Sequence, residues 1–386
     1  MIPAVVVLAY NRPRALERLL RSVAAAAYPP GVTVPLIVSI DRGGSPDVLR
    51  LADEFRWVHG PKRLIVADAH LGLVEHFHRA GALTREYGSI VLLEDDLAVA
   101  TPYYVYASGA LQFYRDDDRI AGVSLYALWF NGYNHFPFVP LADAADVFFL
   151  QIPYYVGQAF TEAQWKRYVE WRTRNDPKPS ARDPIHPTLL QFEQDEWFPE
   201  RMKFLAATDR FFVFPRESVC TGFGDAGTHF ARPSRWLQTP LQEFKMQHRF
   251  TPLAESIAVY DSFFEILPDR LRRLAPGLPQ AGCDIDLYGS KPAHALQHEH
   301  VLTSRRSGAP LARWGRVMWP SEANVAQGVP GDDIVLSRVA DVRRGWWEDV
   351  WLHKHLHDYF TRGRRLPRRL RWIFALLDRW QKVAGR

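Results

Sequence analysis

The sequence predicts an α/β fold with a mostly parallel sheet covered by helices on both faces, followed by a small C-terminal β/α appendage and a basic amphipathic C-terminal helix. Three observations predict it. Over the first ~125 residues, short aliphatic runs alternate with segments of helical period. Acidic residues stand where those aliphatic runs stop. After Pro268 the chain becomes Pro-interrupted, with short β-like pieces, and it ends in a run of arginines.

Ala4–Ala9 is a continuous aliphatic run and reads as the first strand. Asn11 is placed to cap, and Pro13 to open, a helix through Ala26 that carries Leu16, Leu19, Leu20 and Val23 on one face. Val34–Ile40 is the second strand, ending on Asp41, and Arg63–Val66 the third. A helix over Leu71–Tyr87 precedes the strand Ser89–Leu93, which runs into Glu94-Asp95-Asp96. Ile120–Leu125 is a further strand; the aromatic-rich loop Trp129–Phe138 after it is placed like the wall of an acceptor site. Phe148–Val156 leads to a helix over Thr161–Arg172, and the loop Asp176–Pro187 to a helix around Leu189–Phe204. Thr221–Gly227 is Gly-rich and reads as a mobile loop. These elements divide the chain into a catalytic domain over 1–268, a small β-rich appendage over 281–345 with strands near Asp284–Tyr288 and Asp333–Ser337, and a helical, basic tail over 346–386.

The 386 residues are 47% hydrophobic and 24% charged, ordinary globular values that exclude long disorder. The 13 tryptophans suit sugar rings and an aromatic-rich core equally. Cys220 and Cys283 lack zinc spacing and fit a reducing compartment. The N-terminus has no basic region ahead of its apolar run, and no stretch approaches ~18 uninterrupted apolar residues. The expectation is a cytoplasmic protein. Of the net charge of +5, residues 362–386 hold nine Lys/Arg against Asp378, about +8, so the remainder is about −3. Basic charge confined to one tail, without an aromatic-basic recognition motif, disfavours nucleic acid.

In open α/β sheets ligands bind beyond the carboxyl ends of the strands, so Asp41 and Glu94-Asp95-Asp96 are expected on one rim. Three consecutive carboxylates at a buried strand end repel one another, and Mg²⁺ or Mn²⁺, a hard cation bound by oxygen, resolves that conflict. Alternation along a strand sends Glu94 and Asp96 one way and Asp95 the other. A solvated acidic turn is the competing reading.

The runs Val5–Arg12, Ile37–Asp41 and Ile90–Leu97 together resemble the donor domain of N-acetylglucosaminyltransferase I and related bacterial polysaccharide and lipopolysaccharide glycosyltransferases, over roughly residues 3–230. Ala121–Ser124, Ile152–Gln158 and Gln194-Asp195-Glu196-Trp197 extend the likeness. The resemblance implies a GT-A-type, Rossmann-like fold and an inverting sugar transfer. It implies that Asp41 and Arg12 contact the base of the nucleotide, that Asp96 binds the metal, and that Glu94 and Asp95 touch ribose and sugar. Asp195 matches the general base, with Glu196 as the alternative; Gln194 stands where relatives often carry Trp. Ser218–His229 resembles the glycine-bearing loop that closes over the donor, placing His229 at the diphosphate or metal, or in a purely structural role. His76 aligns with a donor-site histidine or lies on a helix surface.

His353, His355 and His357 alternate at spacing two, which scatters them around a helix and argues against a metal cluster. Trp346, Trp347 and Trp351 either stack on acceptor sugars or pack the helix. In 368–383, Leu370, Ile373, Phe374, Leu377 and Trp380 recur at helical spacing among basic residues, the pattern of an interfacial helix. Peripheral contact of 362–386 with anionic membrane, at the inner face of the cytoplasmic membrane, is the expectation; docking on protein is the alternative. The function expected is metal-dependent transfer from a nucleotide-sugar donor, a UDP-sugar, to a glycan or lipid-linked glycan acceptor. The competitors are a sugar nucleotidyltransferase, which would want a glycine- and lysine-bearing phosphate loop, and a catalytically silent glycan-binding protein.

Overall fold

A computed structural model describes residues 1–192, 196–225, 235–279 and 282–361. They form two compact units: Met1–Leu128 with Ala142–Phe263, and Trp129–Leu141 with the described residues from Phe264 onward. The boundary thus falls at Phe263 rather than 268, and the pieces expected at 281–345 and 346–386 share one unit as far as residue 361.

The first unit begins with β1 (Ala4–Ala9), α1 (Pro13–Ala25), β2 (Leu36–Ile40), α2 (Pro46–Glu54), β3 (Lys62–Val66), α3 (Gly72–Ala82), α4 (Thr84–Tyr87) and β4 (Ser89–Glu94). It continues with β5 (Leu97–Val99), α5 (Tyr103–Phe113), β6 (Ile120–Ser124), β7 (Val147–Leu150), β8 (Gln158–Thr161) and α6 (Glu162–Arg174). After α7 (Phe198–Ala207) come β9 (Phe211–Pro215), β10 (Cys220–Gly222) and β11 (Val259–Tyr260). Among the described residues, nine strands form one sheet in the order β11-β7-β9-β6-β8-β4-β1-β2-β3. β4, β1, β2 and β3 are parallel, and β8 enters antiparallel between β4 and β6. The class is α/β with a mostly parallel sheet. Strands β1 and β2 are buried at every position, which is why they read as unbroken aliphatic runs and not as alternating ones.

Local chemistry sets the helix ends. Pro13 opens α1, whose Ala15, Leu16, Leu19, Leu20 and Val23 are buried, but the cap residue is Arg12 without a side-chain bond, not Asn11. Thr161 and Gln164 form a reciprocal capping box on α6. The single helix expected over 71–87 is broken at Leu83 into α3 and α4. The helix expected around 189–204 is a 3₁₀ turn, Pro187–Gln191, followed by α7, because Pro199 lacks an N–H and fits only a first turn.

Behind α3 lies an aromatic layer. Gly81 is required there: a Cβ would meet the Trp165 ring at 2.0 Å. Arg201, 1% exposed, is boxed by aromatic rings, its guanidinium 4.7 Å from the centroids of both Phe160 and Tyr168. Burial lowers its pKa to about 10.

The second unit holds α8 (Pro268–Leu274), β12 (Asp284–Asp286), β13 (His300–Thr303), β14 (Ala312–Trp314), α9 (Ser321–Ala326), β15 (Ile334–Arg338) and α10 (Trp346–Phe360). Its sheet runs β12-β13-β15-β14, with β12 and β13 parallel and the other pairs antiparallel. Leu352 and Leu356 of α10 pack on Phe136, flanked by Tyr288, Trp351 and Phe360. The loop Trp129–Phe138, expected as an acceptor-site wall, is therefore a structural part of this unit, with Phe130, Phe136 and Phe138 buried. Trp351 packs as expected of a helix residue, whereas Trp346 and Trp347 are 66% and 51% exposed. Among the described residues no helix is long and apolar enough to cross a membrane. The basic tail 362–386 lies outside the described residues.

Within the aromatic layer, His78 stacks on Tyr168. Burial, reinforced by Arg172 and Arg201, lowers its pKa from 6.5 to about 4. The unfolded imidazole takes a proton near 6.5 and the folded one does not, so stability is constant above that pH and falls as pH drops from about 6.5 to about 4. Urea midpoints across this window should therefore fall in the wild type and fall less in His78→Gln. Equal slopes would remove His78 from the account.

Candidate active site

Strand β1 is paired with β2 on one side, Ala9 opposite Ile40, and with β4 on the other, Leu8 opposite Glu94. The carboxyl ends of these three neighbours bring Tyr10–Arg12, Asp41 and Glu94-Asp95-Asp96 to one rim. The chain leaves β1 toward β2 and returns on the opposite side as β4, so the crevice is a topological switch point. A cleft of about 630 Å³ opens there.

Glu94 ends β4, but Asp95 and Asp96 form a turn before β5. They do not alternate across a strand as expected. Both face Arg12, which donates from Nη1 to Asp96 Oδ2 at 2.8 Å and from Nη2 to Asp95 Oδ1. Burial lowers the Arg12 pKa, yet Asp95 and Asp96 outweigh burial and the net shift is upward. One guanidinium serves three carboxyl groups. Asp95, nearly fully buried, is raised to about 6 by burial, against the pull of Arg12. Glu94 is raised to about 8, first by burial and then by Asp96 and Asp95.

That shortage of positive charge, with hard oxygen donors only, fits Mg²⁺ or Mn²⁺. Among the described residues no three His, Cys, Asp or Glu side chains converge on one point. The protein would then contribute one or two carboxylates, the partly exposed Asp96 foremost, and substrate and water oxygens the rest.

Asp41 is buried, and its carboxylate is occupied by backbone. Oδ1 accepts from Arg42 N and Leu71 N, both at 2.8 Å, and Oδ2 accepts from Gly72 N at 3.1 Å, with His70 Nδ1 at 2.9 Å. It thus anchors the entry to α3, where Gly72 adopts φ +71°. His76, on the same helix, is buried rather than on a helix surface. Its Nε2 lies 2.8 Å from Ser39 Oγ, and burial lowers its pKa, favouring the neutral ring.

The opposite wall is aromatic. Tyr155 stacks on Tyr154 and meets Phe198 edge-on, and Trp197 lies flat on Phe77 with centroids 4.3 Å apart. Burial pushes Tyr155 up to about 12, with Glu94, Glu196 and Asp96 adding to the rise. Glu196 lines the cleft, and its charge contributes to raising Glu94. Asp195 and His229 lie outside the described residues. Gly222, Gly224 and Asp225, the described start of the glycine-bearing loop, reach the cleft; Phe223 N donates to Asp96 O at 2.9 Å, and Arg18 pairs with Asp225 and sits over Phe223. Trp236 and His70 had no sequence signal as site residues. Tyr155 and Trp197 sat inside recognised motifs, and only packing shows that they face the cleft.

No protein-family profile and no curated protein matches this chain. Similar solved structures include S. aureus TarS 1–349 in complex with UDP, at 12% identity, 57% of this chain, 60% of that chain and a TM-score of 0.37. The mannosyltransferase PcManGT from Pyrobaculum calidifontis, in complex with GDP-Man and Mn²⁺, is similar at 15% identity, 59% of each chain and a TM-score of 0.37. GalNAc-T7 with UDP, GalNAc and Mn²⁺ is similar at 11% identity, 56% of this chain, 43% of that chain and a TM-score of 0.38. This chain spans less than two thirds of each of them. Likenesses this distant assign no residue a role and no substrate to the chain.

Removing the guanidinium leaves Asp95 buried without a counter-ion. Arg12→Ala should lower unfolding free energy in urea by about 2 kcal/mol, a figure reduced from that of a fully buried pair because Arg12 is partly exposed. Adding Asp95→Asn to Arg12→Ala should restore part of that loss. Strict additivity in the cycle would show that the pair is not coupled.

Proposed function

We propose that this chain is a GT-A-type glycosyltransferase that moves a sugar from a nucleotide-diphosphate donor, a UDP-sugar, to a glycan or lipid-linked glycan acceptor in bacterial surface polysaccharide synthesis. The observation that carries this reading is the group Glu94, Asp95 and Asp96 with one guanidinium at a switch-point crevice. A diphosphate cannot enter that acidic rim without a cation, and a cleft with one acidic and one aromatic wall suits a charged leaving group joined to a sugar ring. Inversion is inferred from the sequence resemblance.

Mg²⁺ or Mn²⁺, when bound, supplies positive charge to the departing diphosphate. Asp96 would hold it, while Glu94 and Asp95 orient ribose and sugar. Arg12 neutralises the pair Asp95–Asp96 and borders the nucleotide. Asp41 fixes the α3 entry, so that His70 and His76 face the donor from a rigid element. The acceptor hydroxyl attacks the anomeric carbon as the bond to the diphosphate oxygen breaks; the diphosphate leaves with the electron pair. The hydroxyl proton passes to a carboxylate, Asp195 or its neighbour Glu196. His229 would contact the diphosphate from the glycine-bearing loop.

Nucleotide release over a donor panel, with Mn²⁺ or Mg²⁺, tests the reading. Asp96→Ala and chelation should each abolish release, and Asp195→Asn should lower it roughly 10²- to 10⁴-fold. If Asp195→Asn keeps full transfer while Glu196→Gln loses it, Glu196 is the base. No binding or release with any nucleotide sugar would end the enzyme reading.

A further inference from the structure

We propose that Arg343-Arg344-Gly345-Trp346-Trp347, at the entry to α10 in the second unit, is a docking surface for an anionic lipid membrane. This is independent of the chemistry in the cleft.

The two indoles begin α10, 4.3 Å apart between centroids and inclined at 65°. They are 66% and 51% exposed although the helix is well seated: further along it, Leu352 and Leu356 pack on Phe136, and Trp351 lies under the Arg306 guanidinium at 4.7 Å. The helix therefore presents the pair on a fixed base. Adjacent exposed indoles are unusual on a surface bathed only by water, whereas indole is favoured at the boundary between lipid headgroups and acyl chains.

The charge beside them is complementary to lipid phosphate. Arg343 and Arg344 are exposed; Arg344 Nη1 donates to Lys291 O at 3.1 Å, and Asp286 and Asp349 act on its charge. Arg343 N donates to Arg306 O at 2.8 Å, which brings a second arginine pair, Arg305-Arg306, alongside. The acids of the first helical turns are already matched: Glu348 takes both Arg306 Nε and Nη2 at 2.9 Å, and Asp349 takes Arg305 Nη1 at 2.7 Å. Rings inclined at 65° offer no single flat face for a sugar, but both can enter a headgroup layer edge-first while the arginines stay at phosphate depth. The sequence directly after α10, with nine Lys/Arg against Asp378, calls for the same partner from a separate observation.

The test uses the full chain with sedimenting vesicles of phosphatidylcholine, with and without about one third phosphatidylglycerol. Wild type should partition onto the anionic vesicles with a blue-shifted tryptophan emission. Trp346→Ser/Trp347→Ser should weaken partitioning at least tenfold, and Arg343→Ala/Arg344→Ala by about tenfold at low salt, each with unchanged thermal unfolding and unchanged nucleotide release in solution. Trp346→Phe/Trp347→Phe should recover part of the loss. Three results would overturn the proposal: partitioning of the Trp→Ser variant equal to wild type, as tail-only binding gives; equal partitioning onto neutral vesicles; or a wild-type dimer that the Trp→Ser change dissociates. Because release is measured separately, failure here is distinguishable from failure of the glycosyltransferase reading.

Discussion

The bond from Arg12 to Asp95 and Asp96 is the constraint on which the first unit's rim depends. Arg12 ends the loop from β1 and begins α1; the two acids form the turn from β4 into β5. A single cation therefore ties together the carboxyl ends of two adjacent parallel strands at the point where ligands enter such sheets. The tie leaves the rim acidic. Burial and the two neighbouring carboxyls push Glu94 up, so positive charge is in short supply at the rim.

A second constraint works beside it. Asp41 gives its carboxylate to the backbone at the entry of α3, and that helix positions His76 on the cleft side and Phe77 beneath Trp197. The aromatic wall thus rests on the helix that an acidic residue anchors. Deeper in, Arg201 and His78 hold polar atoms within an aromatic layer; burial lowers both pKa values, and the absent side chain of Gly81 leaves space for Trp165. The floor is rigid.

The second unit follows different rules. Its small sheet and α10 enclose Phe136, recruited from a loop far away in sequence, and its surface carries paired arginines and two partly exposed indoles. Ion pairs from Arg305 and Arg306 to α10 fix where those indoles stand.

The sequence by itself determined the parallel strands, the amphipathic face of α1 and the gathering of Asp41 with Glu94-Asp95-Asp96, because unbroken aliphatic runs and strand-end acids follow from local burial and pleat geometry. It also marked Arg12 and Glu196. What it could not contain were choices that depend on partners distant along the chain. Arg12 capping α1 in place of Asn11, and facing both acids at once, follows from a turn that strand alternation does not foresee. Trp129–Phe138 belongs with α10 because Phe136 meets Leu352 across more than two hundred residues, a contact with no local signature. Tertiary packing alone decided which aromatic residues build a wall, which pack a core, and which, like Trp346 and Trp347, remain in solvent.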